Sequence, residues 1–432
     1  MNEHDSRKMA GILKREGYSI TDDHKDADLI LINTCSVREN PENKVYSLLG
    51  RLSRMKRHKP DLIIGVAGCV AQQEGKKILK RIKAVDLVFG TDSIFSLPAM
   101  LKEVKNGQRA LYTNWLPREN RVQNFIPEGE IKSGVADGNR ALIAITKGCN
   151  NCCSFCIVPT TRGRLVSREK ENILQEAQEL IKNGVKEIQL LGQNVNSYSA
   201  GDSDFYDLLK SVADLKGLKR VRFTSPHPND WNSRLTDLMA EHPVICNHIH
   251  LPFQAGADRI LSLMRRGHSA AEYLQKIEYL KKRIPDISIT TDVIVGFPGE
   301  TEEEFLETLK VISSVKFSLI YAFKYSVRPG TRAEKFKDDV SRELKEERLS
   351  RLHQLQDPIQ SKILDDMIHT KQTILIDSAH PKERGVMSGR SDGNFPVSIK
   401  DSELEIGNFV DVAITGRKKH SLLGEIRSVP LS

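Results

Sequence analysis

Six times between residues 140 and 367, a short aliphatic run is followed by a helical pattern. The runs are ALIAIT (141–146), VKEIQLL (185–191), KRVRFTS (219–225), HIHLP (248–252), ISITTDVIVG (287–296) and LIYAFKYS (319–326). Helical periodicity follows at 169–182, 204–215, 230–241, 256–283, 301–314 and 340–367. Strands and helices in strict alternation pack as a parallel sheet with its helices outside. Six units fit either an open sheet or one curved into a partial barrel. In both, ligands sit at the carboxyl ends of the strands.

The flanks differ in texture. Residues 1–106 predict a smaller parallel α/β domain, with strands at 27–33, 61–67 and 85–90 and helices at 5–16, 39–58, 71–82 and 93–105. Residues 107–134 hold no sustained period and read as a linker, with the six-unit core spanning 135–367. From 368 to 432 the long helices stop. Short β-rich runs separated by turn residues predict a small antiparallel barrel of OB-like or SH3-like closure. The fold class is therefore α/β with a terminal β-barrel.

The formal net charge is +8, spread over runs such as RMKRHK (54–59), KKILKRIK (76–83) and RKK (417–419). Each run suits a solvated helix face, but the overall sign favours a polyanionic partner such as nucleic acid. No apolar run reaches 18 residues, so no membrane span is expected. The first residues, MNEHDSRKMA, are charged and do not read as a signal peptide. Seven cysteines, an odd number, then point to a reducing, cytoplasmic compartment and to metal or redox chemistry, not to a disulfide framework.

Four of those cysteines fall in TKGCNNCCSFCIVPTTRGR (146–164), just after the first strand of the six-unit core. Cys149, Cys153 and Cys156 have C-x3-C-x2-C spacing, and Cys152 offers a second phase. An Asn-rich loop led by Gly148 is a poor place for four small core residues. Tetrahedral zinc usually takes two separated pairs, whereas here the pairs abut. Three thiolates on a four-iron cluster fit better, because they leave one iron open to a ligand.

GCNNCCSFCIVPTTRGR (148–164), placed after the first strand of six βα units, resembles the radical S-adenosylmethionine (SAM) superfamily. LLGQNVNSY (190–198), FTSPHP (223–228), HLPFQAGADRILSLMRRG (250–267) and DVIVGFPGETEEEF (292–305) resemble the tRNA methylthiotransferases of the MiaB type. NTCSVRENPENK (33–44) and AGCVAQQEG (67–75) are similar to that family's N-terminal domain, and the β-rich end is similar to its TRAM RNA-binding domain.

The resemblance implies two [4Fe–4S] clusters and SAM as cofactors. Cys149, Cys153 and Cys156 would ligate the radical-generating cluster, with Cys152 a substitution beside the ligands. Gly192, Gln193, Asn194, Gln254, Gly296 and Gly299 lie where SAM would cross the strand ends. The glycines also suit plain tight turns. Ser225 and His227 are pocket candidates of unassigned contact. Arg162 and Arg164 suit RNA phosphate, SAM's carboxylate or a neighbouring acid equally. Cys35 and Cys69 each follow a strand of the first domain and would hold the second, sulfur-supplying cluster. The family uses a third cysteine there, just upstream of the segment matching MNEHDSRKMA, so the resemblance implies either a late start or a cluster on two protein thiols.

The implied reaction adds a methylthio group to carbon 2 of N6-isopentenyladenosine beside a tRNA anticodon, using two SAM molecules. The implied partners are isopentenylated tRNA and a low-potential electron donor such as flavodoxin or ferredoxin, with the enzyme a monomer free of membranes. Two alternatives remain at this stage. One is the same chemistry on threonylcarbamoyl-adenosine in tRNA or on a ribosomal-protein aspartate. The other is a non-enzymatic RNA-binding protein with a metal site.

Overall fold

The computed structural model describes residues 1–35, 41–123, 125–126, 136–380, 382–401 and 403–426. The first unit is a parallel sheet of β1 (Leu29–Thr34), β2 (Ile63–Gly68), β3 (Leu87–Phe89) and β4 (Ala110–Tyr112), in that order. Helices α1 (Asn2–Arg15), α2 (Pro41–His58), α3 (Cys69–Arg81) and α4 (Leu97–Lys105) cover it. Both faces are apolar: Leu49, Ile64, Val66 and Ile78 pack on one side, Met9, Leu87, Phe89 and Met100 on the other.

The linker reading needs correction. Ala110–Tyr112 completes the first sheet, and Arg118–Gln123 is a short helix. A three-residue strand leaves no period in the sequence. Only its pairing with Leu87–Phe89 defines it.

The core strands are β5 (Arg140–Ala144), β6 (Glu187–Leu191), β7 (Arg220–Phe223), β8 (His248–His250), β9 (Ser288–Val295) and β10 (Leu319–Lys324). β5, β6 and β7 pair in parallel, as do β8, β9 and β10. A bridge between Val221 and Ile245 joins the two sets into a partial barrel. Alternation decides the faces. On β9, Ile289, Thr291, Val293 and Val295 are buried beneath the helices, while Asp292 and Ile294 look into the barrel and are half-exposed.

One predicted helix, 256–283, is two: Asp258–Met264 and Ala270–Arg283. Arg265 ends the first in a left-handed conformation (φ 57°), and Ser269 with Glu272 forms a capping box that starts the second. The intervening turn carries Arg266 to the cysteine loop and sets the His268 ring against His227.

Among the described residues, the C-terminal barrel closes through β11 (Lys371–Ala379), β12 (Met387–Arg390), β13 (Pro396–Ile399), β14 (Phe409–Arg417) and β15 (Leu422–Ile426). It is not wholly antiparallel, since β13 pairs β15 in parallel. Its β12–β13 turn covers the amino-terminal end of the partial barrel. Arg222 donates to the Ser391 and Asp392 carbonyls at 2.6 and 2.8 Å and lies 3.3 Å from Glu187. No described helix is long and apolar enough to cross a membrane.

Candidate active site

The cysteine loop is held by hydrogen bonds of the chain itself. Thr146–Lys147 pairs antiparallel with Val166–Ser167 and closes its neck. Gly148 turns at φ 79°, where a Cβ would strike the carbonyls of Gly163 and Arg164, so no other residue fits. Its N–H donates to Gln193 Oε1 at 2.6 Å, and the Cys149 N–H donates to the Gly163 carbonyl at 3.2 Å. Ser154 docks the tip: its N–H and hydroxyl donate to the Met264 and Leu263 carbonyls at 2.9 and 2.7 Å.

This folding turns Cys149, Cys153 and Cys156 partly inward and leaves Cys152 exposed, its sulfur 3.7 Å from the Asn150 carbonyl. The three half-buried thiols influence one another electrostatically, although among the described residues no three His, Cys, Asp or Glu side chains stand grouped as a metal cage. Burial pushes the Cys149 thiol up to about 11 and Cys156 up to about 12, and the Cys153 sulfur adds to both shifts. A bound cation reverses that penalty by displacing the protons. Arg266, unnoticed in the sequence, donates to Cys153 Sγ at 3.5 Å and to the Pro252 carbonyl at 2.7 Å.

Buried polar atoms ring the loop. Asn151 Nδ2, Asn194 Oδ1, His227 Nε2, Arg266 Nε and His268 Nε2 have no hydrogen-bond partner among the described residues. Unpaired buried groups cost about 1–3 kcal/mol each, so the set suits a polar ligand. Burial lowers His227 to about 2 and His268 to about 4, with Arg266 adding to both, so both imidazoles are neutral at pH 7. Ser225 (φ 58°) and Gln254 (φ 72°) hold the left-handed region at two strand ends, strain of the kind stored at ligand clamps.

The other sequence candidates split. Asn194 Nδ2 donates to Asp230 at 2.8 Å and lies at the ring just described. Gly192 packs against Thr146. Gly296 (φ 69°) donates to Glu300 at 2.6 Å with the Lys345 side chain over its Cα, and Gly299 (φ 77°) donates to Asp339 at 2.7 Å. Local geometry explains these three glycines. Gln254 lines a cavity of about 230 Å³ with Phe155, Cys156, Asp292, Phe323 and Tyr325. Tyr321 and Phe323, 48% and 43% exposed, lie on β10 at this side of the barrel.

A second thiol pair lies at the first sheet's edge. Thr34 is in register with Gly68, so the residues that follow, Cys35 and Cys69, leave adjacent strands side by side. Arg162 is not exposed to solvent: it pairs with Asp5 at 2.8 Å and donates to Asn2 Oδ1 at 2.6 Å. Of the three sequence readings, the neighbouring acid is realised. Arg164 is exposed. Arg121, inside the supposed linker, donates to the Arg162 and Arg164 carbonyls at 2.6 and 2.9 Å and to Asp92 at 2.8 Å.

Residues 143–312 match the radical SAM superfamily, 1–90 match uncharacterized protein family UPF0004, and 366–426 match the TRAM domain. The chain is 42% identical, over 99% of its length and 95% of the relative's, to the tRNA-2-methylthio-N(6)-dimethylallyladenosine synthase of Geobacter sulfurreducens. It is 44% identical to the enzyme of the same name from Sulfurihydrogenibium sp., over 99% of this chain and 97% of that one. The chain belongs to the tRNA-2-methylthio-N(6)-dimethylallyladenosine synthase family.

A fold likeness accompanies the family match. The radical SAM methyltransferase TsrM from Kitasatospora setae, solved with cobalamin and a [4Fe-4S] cluster, superposes with a TM-score of 0.55 at 13% identity, covering 76% of this chain and 70% of that one. In a synthase of this family, the residues that sequence reasoning missed are Arg266, His268 and Asp230. Arg266 lies inside the quoted 250–267 motif and the other two lie next to one, but only the helix break at Arg265 turns Arg266 to Cys153.

Proposed function

We propose that this chain is a radical SAM enzyme that converts N6-isopentenyladenosine beside the tRNA anticodon to its 2-methylthio derivative. The carrying observation is 42–44% identity, over 99% of this chain, with proteins named as synthases of that reaction. Two features support it: three half-buried thiols on one loop, and two cysteines that follow paired strands of the first sheet.

Cys149, Cys153 and Cys156 would hold one [4Fe–4S] cluster, and Cys35 with Cys69 would contribute to the second. Bound with SAM, the first cluster supplies hydrogen-atom removal from an unactivated aromatic carbon, which acid–base groups alone cannot achieve. The chain's own residues bind and aim. Asn194, His227 and Arg266 offer unpaired polar atoms to SAM, with neutral His268 alongside. Gln193 holds Gly148, and hence the neck of the loop. The cavity beside Cys156, with Phe323 at its side, accepts a flat base taken out of an unpaired loop at modest cost.

The TRAM barrel and the excess of positive charge grip tRNA, with affinity that falls as salt rises. A flavodoxin or ferredoxin would deliver electrons to a cytoplasmic monomer. The test is nucleoside mass spectrometry of tRNA from bacteria lacking their own synthase and expressing this chain. Appearance of 2-methylthio-N6-isopentenyladenosine confirms the reading. Unthiolated precursor alone, from a protein whose N-terminal site holds its iron, refutes it and directs the search to threonylcarbamoyl-adenosine or the ribosomal protein.

A further inference from the structure

Arg162 leaves the cysteine loop and enters the other unit. It ends the short helix Val158–Arg162, which begins two residues after Cys156 and packs on α3, the helix that starts at Cys69. The side chain is 4% exposed. Asp5 and Asn2, both on α1, hold one terminal nitrogen, while Nη1 has no hydrogen-bond partner among the described residues. The Arg121 hydrogen bonds to the Arg162 and Arg164 carbonyls fix the backbone behind it, and Thr91 fixes the preceding Thr161 carbonyl at 3.1 Å.

A guanidinium so anchored leaves Nη1 without a hydrogen-bond partner among the described residues, in a helix that packs against the start of α3 at Cys69. Hydrogen bonds to cluster sulfurs shift reduction potential, and a planar fork held at one end donates in a fixed direction from the other. Resting on the two-cluster reading above, we propose that Arg162 is a positioning residue of the N-terminal sulfur site. It donates to the sulfur of Cys69 or of the cluster bound there, while its own loop carries Cys149, Cys153 and Cys156. One loop thus ligates the radical-generating site and tunes the sulfur donor, and Asp5 orients the tuning group.

The experiment uses the full chain with Cys149, Cys153 and Cys156 replaced by Ala, so that only the N-terminal site binds iron. Anaerobic reconstitution is followed by EPR-monitored redox titration of this protein and of the same protein with Arg162→Lys. Because removing the fork leaves Asp5 strained, the charge-neutral pair Arg162→Gln with Asp5→Asn is measured alongside. The inference expects iron retained in both, a shifted EPR signal and a more negative midpoint potential, since a donor to sulfur is lost. In the chain with all cysteines present, Arg162→Lys should still cleave SAM within about twofold of the parent, while methylthio product falls at least about tenfold.

An unchanged potential and spectrum in both variants overturns the inference. So does SAM cleavage that falls in step with product, which would place Arg162 in the radical site. If the triple-alanine protein binds no iron, the inference fails together with the N-terminal assignment. The tRNA assay on the parent chain reports on the overall function independently of these results.

Discussion

Gly192 offers a sharp test of how the cysteine loop is held. It follows β6, and its Cα faces the neck strand at Thr146. A Cβ added there would overlap Thr146 Oγ1, stand 3.0 Å from Val195 Cγ1 and lie 3.3 Å from Thr146 Cβ. Val195 is wholly buried, so it cannot retreat. Thr146 must move by roughly 1 Å, and overpacking of this kind costs about 1–3 kcal/mol. The strain falls on a neck of only one two-residue strand pair, two residues before Gly148. Opening that neck should therefore become about 5–150 times easier, at 1.4 kcal/mol per factor of ten.

Gly192→Ala should then lose iron from the Cys149 site and form less 5′-deoxyadenosine, while the N-terminal site keeps its iron as an internal control. Adding Thr146→Ala removes the overlapping oxygen and forfeits only a 3.4 Å contact to the Asn194 carbonyl. The double variant should regain most of the iron, giving a coupling of about 1–2 kcal/mol in a mutant cycle. A Gly192→Ala protein with full iron and full SAM cleavage would refute the packing argument. Iron loss that Thr146→Ala fails to repair would instead assign Gly192 a direct contact with SAM.

Further outcomes follow from the same geometry. Cys152→Ser should keep the iron and most activity, because its sulfur faces solvent, whereas Cys153→Ser should lose both; iron analysis of the two proteins decides. His227 and His268 titrate below the ordinary histidine value, so the stability they confer is complete above pH 6.5 and is lost as pH falls toward 4. Denaturant unfolding between pH 7.5 and 5 should show that decline, and His268→Asn should flatten it by about 1–2 kcal/mol. Arg222→Met leaves Glu187 to Arg220 and Arg140 and leaves two carbonyls of the TRAM turn unbonded, a loss of about 1–3 kcal/mol. The barrel should then become sensitive to proteolysis and tRNA binding should weaken, with SAM cleavage retained.

Much of the molecule is legible in its residues. The six aliphatic runs give the strands of the core because period and length are local properties, and the motif residues 148–164 announce thiol chemistry by spacing alone. The adjacency of Cys35 and Cys69 follows from two strands of one parallel sheet, and the register of Thr34 with Gly68 bears that out. Three features stayed hidden. Ala110–Tyr112 is too short to show a period, so only its partner strand makes it a strand. Arg265 carries no mark of its left-handed turn, so 256–283 reads as one helix and Arg266 as one more surface cation. Arg162 reads equally as a phosphate, carboxylate or acid contact, because a side chain's partner lies elsewhere in the chain.

Local periodicity and covalent spacing thus determine which segments become strands or helices and which thiols share one loop. Which of four thiols turn inward, which arginine meets sulfur and which meets solvent are decided by contacts between residues more than a hundred positions apart. Arg266 with Cys153 and Arg162 with Asp5 are two such contacts. Those energies exist only once the chain has closed, so tertiary structure alone could settle them.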